Sequence, residues 1–273
     1  MVKRLKRRDG RGGDREGGWG VRLVVAGPHS VRAALSGDCR VHTVFLDESP
    51  PSRISSLAEV AREAGAAVAS VPRGECDRLA GIRSQGVAAE ITFKYTEFKA
   101  MLHAVDESVA GSDLMVFVDE VSDPHNLGAI VRTAAAVGAR AVVIPGRRGA
   151  PINSTVMRVS AGGALHVPVC RVANLSRAIS MAQKAGYWVY GLESRGAKSL
   201  GVDALQPRVG VVVGSEGAGL RSLVARTCDE LVSLPMRNSV ESLNASVAAG
   251  VAMYLLAKGL IIGAEAVDSS KSR

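Results

Sequence analysis

The sequence predicts an α/β protein built from a small α/β domain and a larger α/β domain with a mainly parallel sheet. Its 273 residues, 47% of them hydrophobic, are enough for two modest globular cores. Short apolar runs alternate with segments of helical periodicity along most of the chain. Three polar stretches each follow a strand-like run and precede a helical pattern. We expect these stretches at the carboxyl ends of strands, where open α/β sheets bind their ligands.

The first predicted domain spans residues 21–94 and has the element lengths typical of βα units. Its apolar runs predict strands at Leu23–Ala26, His42–Leu46, Ala67–Val71 and Val87–Phe93. Helices are predicted between them at Ser30–Leu35, Ile54–Ala64 and Cys76–Ala80. The segment Tyr95–Asp113 is more polar and less regular, and it is predicted to be a linker.

The second predicted domain spans residues 114–263. Strands are predicted at Leu114–Val118, Ala141–Ile144, His166–Cys170, Tyr187–Leu192, Val209–Val213 and Glu230–Leu234. Helices are predicted at Leu127–Val137, Thr155–Ser160, Leu175–Ala185 and Leu220–Thr227, followed by a final helix. This alternation predicts a mainly parallel sheet that is covered on both faces.

The final helix belongs to the most apolar stretch of the chain, Val247–Ala264. One predicted stripe of small residues consists of Ala245, Ala248, Ala249 and Ala252, and a second stripe consists of Val247, Gly250, Val251 and Tyr254. A helix that is apolar on both sides is a buried one, so we expect it to pack against another helix or subunit. The run before Lys258 is too short to span a bilayer, and no membrane association is predicted.

The amino-acid composition indicates the cellular compartment and the kinds of binding partner to expect. The net charge of +8 suggests a polyanionic partner, although seven basic and three acidic residues place +4 of it in Met1–Gly20. That tail is predicted to be disordered, either touching nucleic-acid phosphate or simply solvated, and residues 264–273 form a second tail. Widely spaced cysteines and the absence of a secretory signal predict free thiols and a cytoplasmic location. The histidines and cysteines lack metal-ligand spacing, so no metal is predicted.

The first polar stretch runs from Asp119 to Arg132. Pro124 disfavours helix before it and Asn126 is a good N-cap, so the helix is predicted to start at Asn126. Gly128 and Arg132 share one helical face, and the missing side chain of Gly128 leaves room for the guanidinium to point back to the loop. Arg132 lies in an otherwise apolar segment. It either extends to water or meets a carboxylate or phosphate.

The second and third stretches are Val211–Leu220 and Leu234–Ser246. Glycine-rich residues 214–219 match neither the dinucleotide fingerprint nor the phosphate-binding loop. Glu216 lies among these glycines, where the backbone can approach a ligand closely; a solvated turn explains it equally well. In the third stretch, Ser242 and Asn244 are two residues apart, so at least one of them belongs to a cap or loop. Capping alone does not explain Asn238, Ser239, Ser242 and Asn244 gathered before an apolar helix.

These motifs resemble a known family. The three stretches Asp123-Pro-His-Asn-Leu-Gly-Ala with Arg132, Gly-Ser-Glu-Gly-Ala-Gly, and Leu-Pro-Met with Ser-Leu-Asn-Ala-Ser-Val-Ala resemble the ordered motifs of the SpoU (TrmH) family of RNA ribose 2′-O-methyltransferases, in the SPOUT superfamily. Residues 27–35 and 84–87 resemble the start and end of the substrate-binding domain in the subgroup that methylates a guanosine of 23S (large-subunit) ribosomal RNA. The resemblance covers Leu23–Lys258.

The resemblance implies a ribosomal-protein-like RNA-binding domain followed by an α/β domain with a deep trefoil knot that forms a homodimer. It places S-adenosylmethionine against the loops at Gly214, Leu234 and Leu243. It also makes Arg132 the central catalytic residue, arranged with the target ribose by Asn126, Glu216, Ser242 and Asn244. A guanidinium stays protonated in proteins, so we expect Arg132 to stabilise the developing alkoxide and to grip the adjacent phosphate. The proton acceptor is left open.

The sequence leaves two alternatives to a ribosomal-RNA methyltransferase. A ribosome-assembly protein could keep the fold and bind RNA without catalysis, but the intact set of predicted catalytic residues argues against it. A transfer-RNA ribose methyltransferase of the same family is the other, and such enzymes typically lack a domain like Gly27–Phe93. With 4% aromatic residues, the chain is expected to bind RNA through phosphate and shape contacts rather than base stacking.

Overall fold

The computed structural model describes residues 20–103, 113–194, 198–200, 206–237 and 242–257. The first unit contains strands β1 (Gly20–Ala26), β2 (Arg40–Asp47), β3 (Ala67–Val71) and β4 (Val87–Lys94), with helices α1 (Pro28–Ser36), α2 (Ser52–Ser55), α3 (Leu57–Glu63) and α4 (Glu75–Ala80). The strand order is β1-β4-β2-β3, and β4 is antiparallel to both of its neighbours. The helix predicted at Ile54–Ala64 is thus two short helices.

The second unit is built on a larger sheet. Its strands are β5 (Asp113–Val118), β6 (Ala141–Pro145), β7 (Val169–Val172), β8 (Trp188–Leu192), β9 (Lys198–Ser199), β10 (Arg208–Val213) and β11 (Glu230–Ser233). Its helices are α5 (Phe98–His103), α6 (Pro124–Ala136), α7 (Ser154–Val159), α8 (Leu175–Lys184), α9 (Ser222–Thr227) and α10 (Ala245–Leu256), with a short 3₁₀ helix at Gly163–Leu165. The strand order is β7-β6-β5-β10-β8-β11-β9, and the pairs are parallel. The predicted parallel α/β sheet is confirmed, while β9 was not predicted and β7 starts later than His166.

Both faces of the larger sheet are buried, as a parallel sheet requires. Along β5, Leu114, Val116 and Val118 join the core that contains α6 and α10, whereas Met115 and Phe117 join the core under α8 and α9. Successive side chains of a strand point to opposite faces, so this apolar run fills two cores at once. The polar residues of the predicted site are therefore confined to the ends of the strands.

Part of the predicted linker is regular structure. The Thr96 backbone N–H donates to the Val169 carbonyl oxygen at 2.9 Å, which places this segment beside β7. Helix α5 follows and buries Phe98 and Met101 against the sheet. The Phe98 ring lies edge-on to Phe117, with 6.4 Å between the centroids, so apolar contacts stabilise a segment whose polarity suggested irregular structure. The rest of the predicted linker, residues 104–112, lies outside the described residues, and the domain boundaries stay predictions.

Other predictions also concern residues that the structure does not describe. They are the tail before Gly20, Lys258, and the tail at 264–273. The knot stays a prediction as well, because residues 195–197, 201–205 and 238–241 between the last elements are outside the described ranges. Among the residues that are described, no helix is both long enough and apolar enough to cross a membrane.

Candidate functional site at the strand ends

A cavity of about 670 Å³ opens at the carboxyl edge of the larger sheet. The loops that follow β8, β10 and β11 form its walls, together with the start of α10. The predicted site residues among its lining are Gly214, Glu216, Leu234, Ser242, Leu243 and Asn244. The structure therefore brings together two of the three polar stretches in one cavity, at the edge where the sequence predicted it.

The loop after β10 is closed so tightly that it requires glycine. A β-carbon on Gly214 would lie 2.3 Å from the carbonyl carbon of Gly219, far inside contact distance. Backbone hydrogen bonds of 3.1 and 3.0 Å join Ser215 and Gly219 in both directions, and Gly217 and Gly219 have φ angles of +80° and +65°. The loop thus folds back on itself and presents its backbone to the cavity, with Glu216 near its tip.

Glu216 joins the first polar stretch to this cavity. Asn126 Nδ2 donates to Glu216 Oε1 at 2.9 Å, and Asn244 Nδ2 donates both to Asn126 Oδ1 at 3.1 Å and to Glu216 Oε1. The three side chains come from the first turn of α6, the loop after β10 and the N-cap of α10, and they form one hydrogen-bonded cluster. Asn126 keeps 8% of its surface exposed, so its amide is held in a largely dehydrated position. Within the described part of the chain, Glu216 Oε2 accepts no hydrogen bond.

Asn244 has a second task, as the N-cap of α10. Its Oδ1 accepts from the backbone N–H groups of Ser246 and Val247 at 2.9 and 3.3 Å. Capping with Oδ1 leaves Nδ2 directed at Glu216, so the start of the helix fixes the orientation of the amide. The prediction that Ser242 or Asn244 belongs to a cap or loop is confirmed. Asn238 and Ser239 lie outside the described residues.

The predicted start of α6 is wrong. The helix begins at Pro124, and Asp123 is its N-cap, since Asp123 Oδ1 accepts from the His125 N–H at 2.9 Å. Proline fits the first helical position because its missing N–H would have no intrahelical partner there. Asn126 therefore lies inside the first turn, and its side chain is free to reach Glu216.

The predicted role of Gly128 is also wrong, and Arg132 lies apart from the cluster. A β-carbon on Gly128 would lie 2.6 Å from Val159 Cβ, so the glycine lets α7 approach α6 and makes no room for a guanidinium. Arg132 is exposed, with its Cα packed on Gly163, and it forms no ion pair with any residue in the described ranges. Within one chain, Glu216 is bonded to the two asparagines and not to Arg132.

An ion pair between the buried Asp119 and the partly exposed Arg221 lies under the site and was not predicted from the sequence. Asp119, 0% exposed at the end of β5, accepts from the Arg221 backbone N–H at 2.9 Å, from Nε at 2.8 Å and from Nη2 at 2.6 Å. These bonds raise the pKa of Arg221. Glu120 Oε1 lies 3.2 Å from Arg221 Nη1. The pair ties the loop after β5 to the base of the glycine loop. The only local sign is the carboxylate of Asp119 directly after an apolar strand, because a buried charge needs a partner; its cation lies 102 positions away and has no local signal.

The parallel sheet, the glycine-closed cavity and the polar cluster at the strand ends define an α/β protein with a ligand site at its carboxyl edge. Two known protein families match separate parts of the chain. The SpoU rRNA methylase family matches residues 113–254, and the RNA 2′-O ribose methyltransferase substrate-binding family matches residues 24–96. The chain therefore belongs to the SpoU family of RNA ribose methyltransferases.

Individual relatives agree with this membership. The chain is 40% identical to a 23S rRNA (guanosine-2′-O-)-methyltransferase of Xanthomonas campestris, over 84% of this chain and 94% of that protein. It is 37% identical to an uncharacterised tRNA/rRNA methyltransferase of Synechocystis over 85% of this chain, and it spans 61% of the length of that relative. The SpoU methyltransferase AviRb of Streptomyces viridochromogenes, crystallised with AdoMet, has the same fold, with a TM-score of 0.74, 24% identity, and 88% and 91% of the two chains covered.

Proposed function

We propose that this protein transfers a methyl group from S-adenosylmethionine to a ribose 2′-hydroxyl in RNA, and that the target is a guanosine of 23S ribosomal RNA. The observation that carries the proposal is the cluster of Glu216, Asn126 and Asn244 on the wall of a glycine-closed cavity. The Xanthomonas relative, named for that guanosine reaction, supports the choice of RNA. The first unit matches a substrate-binding family, and it favours ribosomal over transfer RNA because transfer-RNA ribose methyltransferases of the family typically lack such a domain.

The cavity suits S-adenosylmethionine in size and chemistry. Its volume falls in the usual range for pockets that bind small molecules, roughly 300–1,000 Å³. Leu234 and Leu243 provide apolar lining, while the glycine loop at Gly214 offers backbone groups without side chains in the way. These residues would hold the cofactor, which supplies an electrophilic methyl group on a sulfonium when bound.

The chain's own residues would orient and activate the hydroxyl. Glu216 Oε1 is occupied by the two amides, which fix the carboxylate plane and leave Oε2 as an acceptor for the 2′-hydroxyl proton. We assign proton acceptance to Glu216 on this geometry. Arg132 makes no contact with the cluster in its own chain, so its proposed role is to hold the phosphate beside the ribose and to stabilise the developing negative charge. Ser242, on the cavity wall, is proposed to contact the ribose.

We propose a homodimer that forms through the exposed face of α10, which contains the second of the two predicted stripes. Ala249 and Ala252 are fully buried within the chain, and Ala245 nearly so, because this stripe packs in the chain's own core with α6. The second stripe is exposed: Val247 at 50%, Val251 at 43% and Tyr254 at 54%. An apolar helix face in water favours a partner of the same kind, because burying it removes apolar surface from water. A bulky residue at Ala249 would therefore disrupt the core first, and Val251 is the better probe.

The two units are proposed to divide the work. Residues 21–94 select the RNA, and residues 114–263 hold the cofactor and the dimer contact, since the predicted catalytic residues all lie in the second unit. The four cysteines are free thiols, which fits the proposed cytoplasmic location. Within the described residues, no group of three or more histidine, cysteine or acidic side chains is placed to bind a metal.

The test is methyl transfer to RNA by the wild-type chain and by Glu216→Gln. Glutamine keeps the size of the side chain but cannot accept a proton, so we expect turnover to fall about 100-fold, the lower range for general acid–base groups, while cofactor affinity measured by calorimetry stays near wild type. Glu59→Gln, on the exposed surface of α3, is the matched control and should keep full activity. Full turnover in Glu216→Gln would refute the assigned proton acceptor. Methylation of transfer RNA instead of 23S RNA would refute the assigned substrate, and RNA binding without any transfer would favour an assembly factor.

A further inference from the structure

The turn between β6 and α7 carries two adjacent arginines at the same edge as the site. This arginine turn is Gly146-Arg147-Arg148-Gly149. Both arginine side chains are exposed, and the Arg148 side chain keeps 74% of its surface in solvent. Arg147 forms no ion pair with any residue that the structure describes.

The arginine turn is held rigidly despite its exposure. The Gly146 N–H donates to the Val172 carbonyl at 2.7 Å, and Arg171 Nη2 donates to the Gly146 carbonyl at 2.7 Å. At its other end, the Ala150 N–H donates to the Val121 carbonyl at 2.9 Å. The turn is thus fixed to β7 on one side and to the loop after β5 on the other.

Backbone strain at Arg148 indicates that its side chain has a functional role. Arg148 has a φ of +62°, and Glu120, which faces it across 3.6 Å, has a φ of +54°. Left-handed backbone is unfavourable for a residue with a β-carbon, and the turn already contains glycines on either side. The Arg148 side chain is 74% exposed, its 3.6 Å contact with Glu120 is longer than a hydrogen bond, and the same Glu120 oxygen already lies 3.2 Å from Arg221. The contact with Glu120 therefore adds little stability and does not offset the strain. Strain that stability does not explain points to function.

The order of strands places the turn beside the cluster. β6 neighbours β5, whose loop leads to Asn126, and β5 neighbours β10, whose loop carries Glu216. Glu120 contacts both Arg148 and Arg221, so it connects the arginine turn to the base of the glycine loop. The cavity, the polar cluster and the two exposed guanidinium groups therefore lie in this order along the carboxyl edge of the sheet.

We propose that the arginine turn is a phosphate clamp, in which Arg147 and Arg148 bind the RNA backbone beside the target nucleotide. The inference rests on the proposed function, because it takes RNA as the substrate. A guanidinium group can donate two parallel hydrogen bonds to the oxygens of one phosphate. Arg147 and Arg148 lie on an open edge of the sheet, which suits an extended polyanion better than a small anion in an enclosed pocket. A rigid clamp would place the target ribose without reading its base.

The test is the salt dependence of RNA binding by the full chain. The double variant Arg147→Ala/Arg148→Ala is compared with Lys184→Ala/Arg226→Ala, which removes the same charge from exposed ends of α8 and α9 at the opposite edge of the sheet. A labelled 23S RNA transcript is the probe, in filter binding from low to high potassium chloride. Losing two phosphate contacts should weaken binding about tenfold and reduce the slope of log affinity against log salt by about 1.4–1.8. The control variant should keep the wild-type slope.

A second variant separates function from structure. Arg148→Gly relieves the left-handed strain, so it should raise the melting temperature by about 2 °C while weakening RNA binding. A wild-type slope in the double variant, an equal loss in the control, or a lowered melting temperature in Arg148→Gly would overturn the clamp. Binding does not require methyl transfer, so wild-type protein that binds RNA in this way without methylating it would contradict the proposed function and leave the clamp intact.

Discussion

Removing Arg221 should destabilise the whole second unit, because Asp119 would stay buried without its cation. Arg221→Ala deletes the Nε and Nη2 hydrogen bonds to a carboxylate that is 0% exposed and keeps the bond from the backbone N–H. Two bonds to a charged group amount to about 3–6 kcal/mol. The Arg221 side chain is 41% exposed, so water can enter the vacated space, and we take the lower end, about 3 kcal/mol. For a chain of this length, the melting temperature should fall by about 6 °C.

Thermal unfolding followed by circular dichroism measures this effect. The control is Arg22→Ala, which breaks an ion pair with Glu90 whose arginine side chain is 63% exposed. Surface pairs of this kind contribute about 0–1 kcal/mol, so the control should shift the melting temperature by less than about 2 °C. Because the glycine loop loses its anchor, cofactor affinity should also weaken in Arg221→Ala. Equal melting temperatures for the two variants would refute the view that this pair holds the base of the site.

Arg132→Ala should abolish methylation with cofactor affinity nearly unchanged in calorimetry, and Arg132→Lys should restore it only in part, because an ammonium cannot bind phosphate with a planar fork; wild-type turnover in the lysine variant would contradict this role. Val251→Glu should convert the dimer to monomer in light scattering, since a charge in a buried apolar contact is unfavourable, and a wild-type chain that is monomeric at micromolar concentration would exclude the dimer. Burial raises the pKa of Cys76 and Cys170 to about 12, so at pH 8 both thiols should resist iodoacetamide until the protein is unfolded; rapid native labelling, seen by mass spectrometry, would contradict their burial.

The alternation of apolar runs and helical segments was enough to predict the architecture of the second unit, because it is regular along the chain. An unbroken apolar run such as Val209–Val213 predicts a strand buried on both faces, and the polar residues after it then belong at the strand end. Since parallel strands end at a common edge, the convergence of Glu216 and Asn244 followed from the strand pattern before any contact was known.

The features that were not predicted depend on competition between neighbouring N-cap residues or on contacts between residues far apart in the sequence. Asp123 and Asn126 are both good caps, and which one starts α6 is decided by how well Pro124 fits the first turn. Gly128 could be interpreted only once Val159, on another helix, was known to lie against it. The bond from Arg221 to Asp119 spans 102 positions in sequence, so no local pattern reports it.

For the final helix, the sequence predicted the apolar stripes but not the partner of each stripe. Two apolar stripes were recognised in the sequence, but periodicity does not say which stripe the chain buries by itself. The stripe containing Ala249 is buried in the chain's own core with α6, and the stripe containing Val251 is exposed. Small residues allow close helix packing, and the same property suits an internal contact as well as a dimer contact.

The most direct test of the central claim is to map where the purified protein methylates RNA. Unmodified 23S ribosomal RNA and transfer RNA transcripts would be incubated with methyl-labelled S-adenosylmethionine, and 2′-O-methyl positions would be read from resistance of the adjacent phosphodiester to alkaline cleavage. We expect one modified guanosine in 23S RNA, with the label on its ribose. Label on a base, label confined to transfer RNA, or no incorporation by wild-type protein that binds both RNA and the cofactor would contradict it.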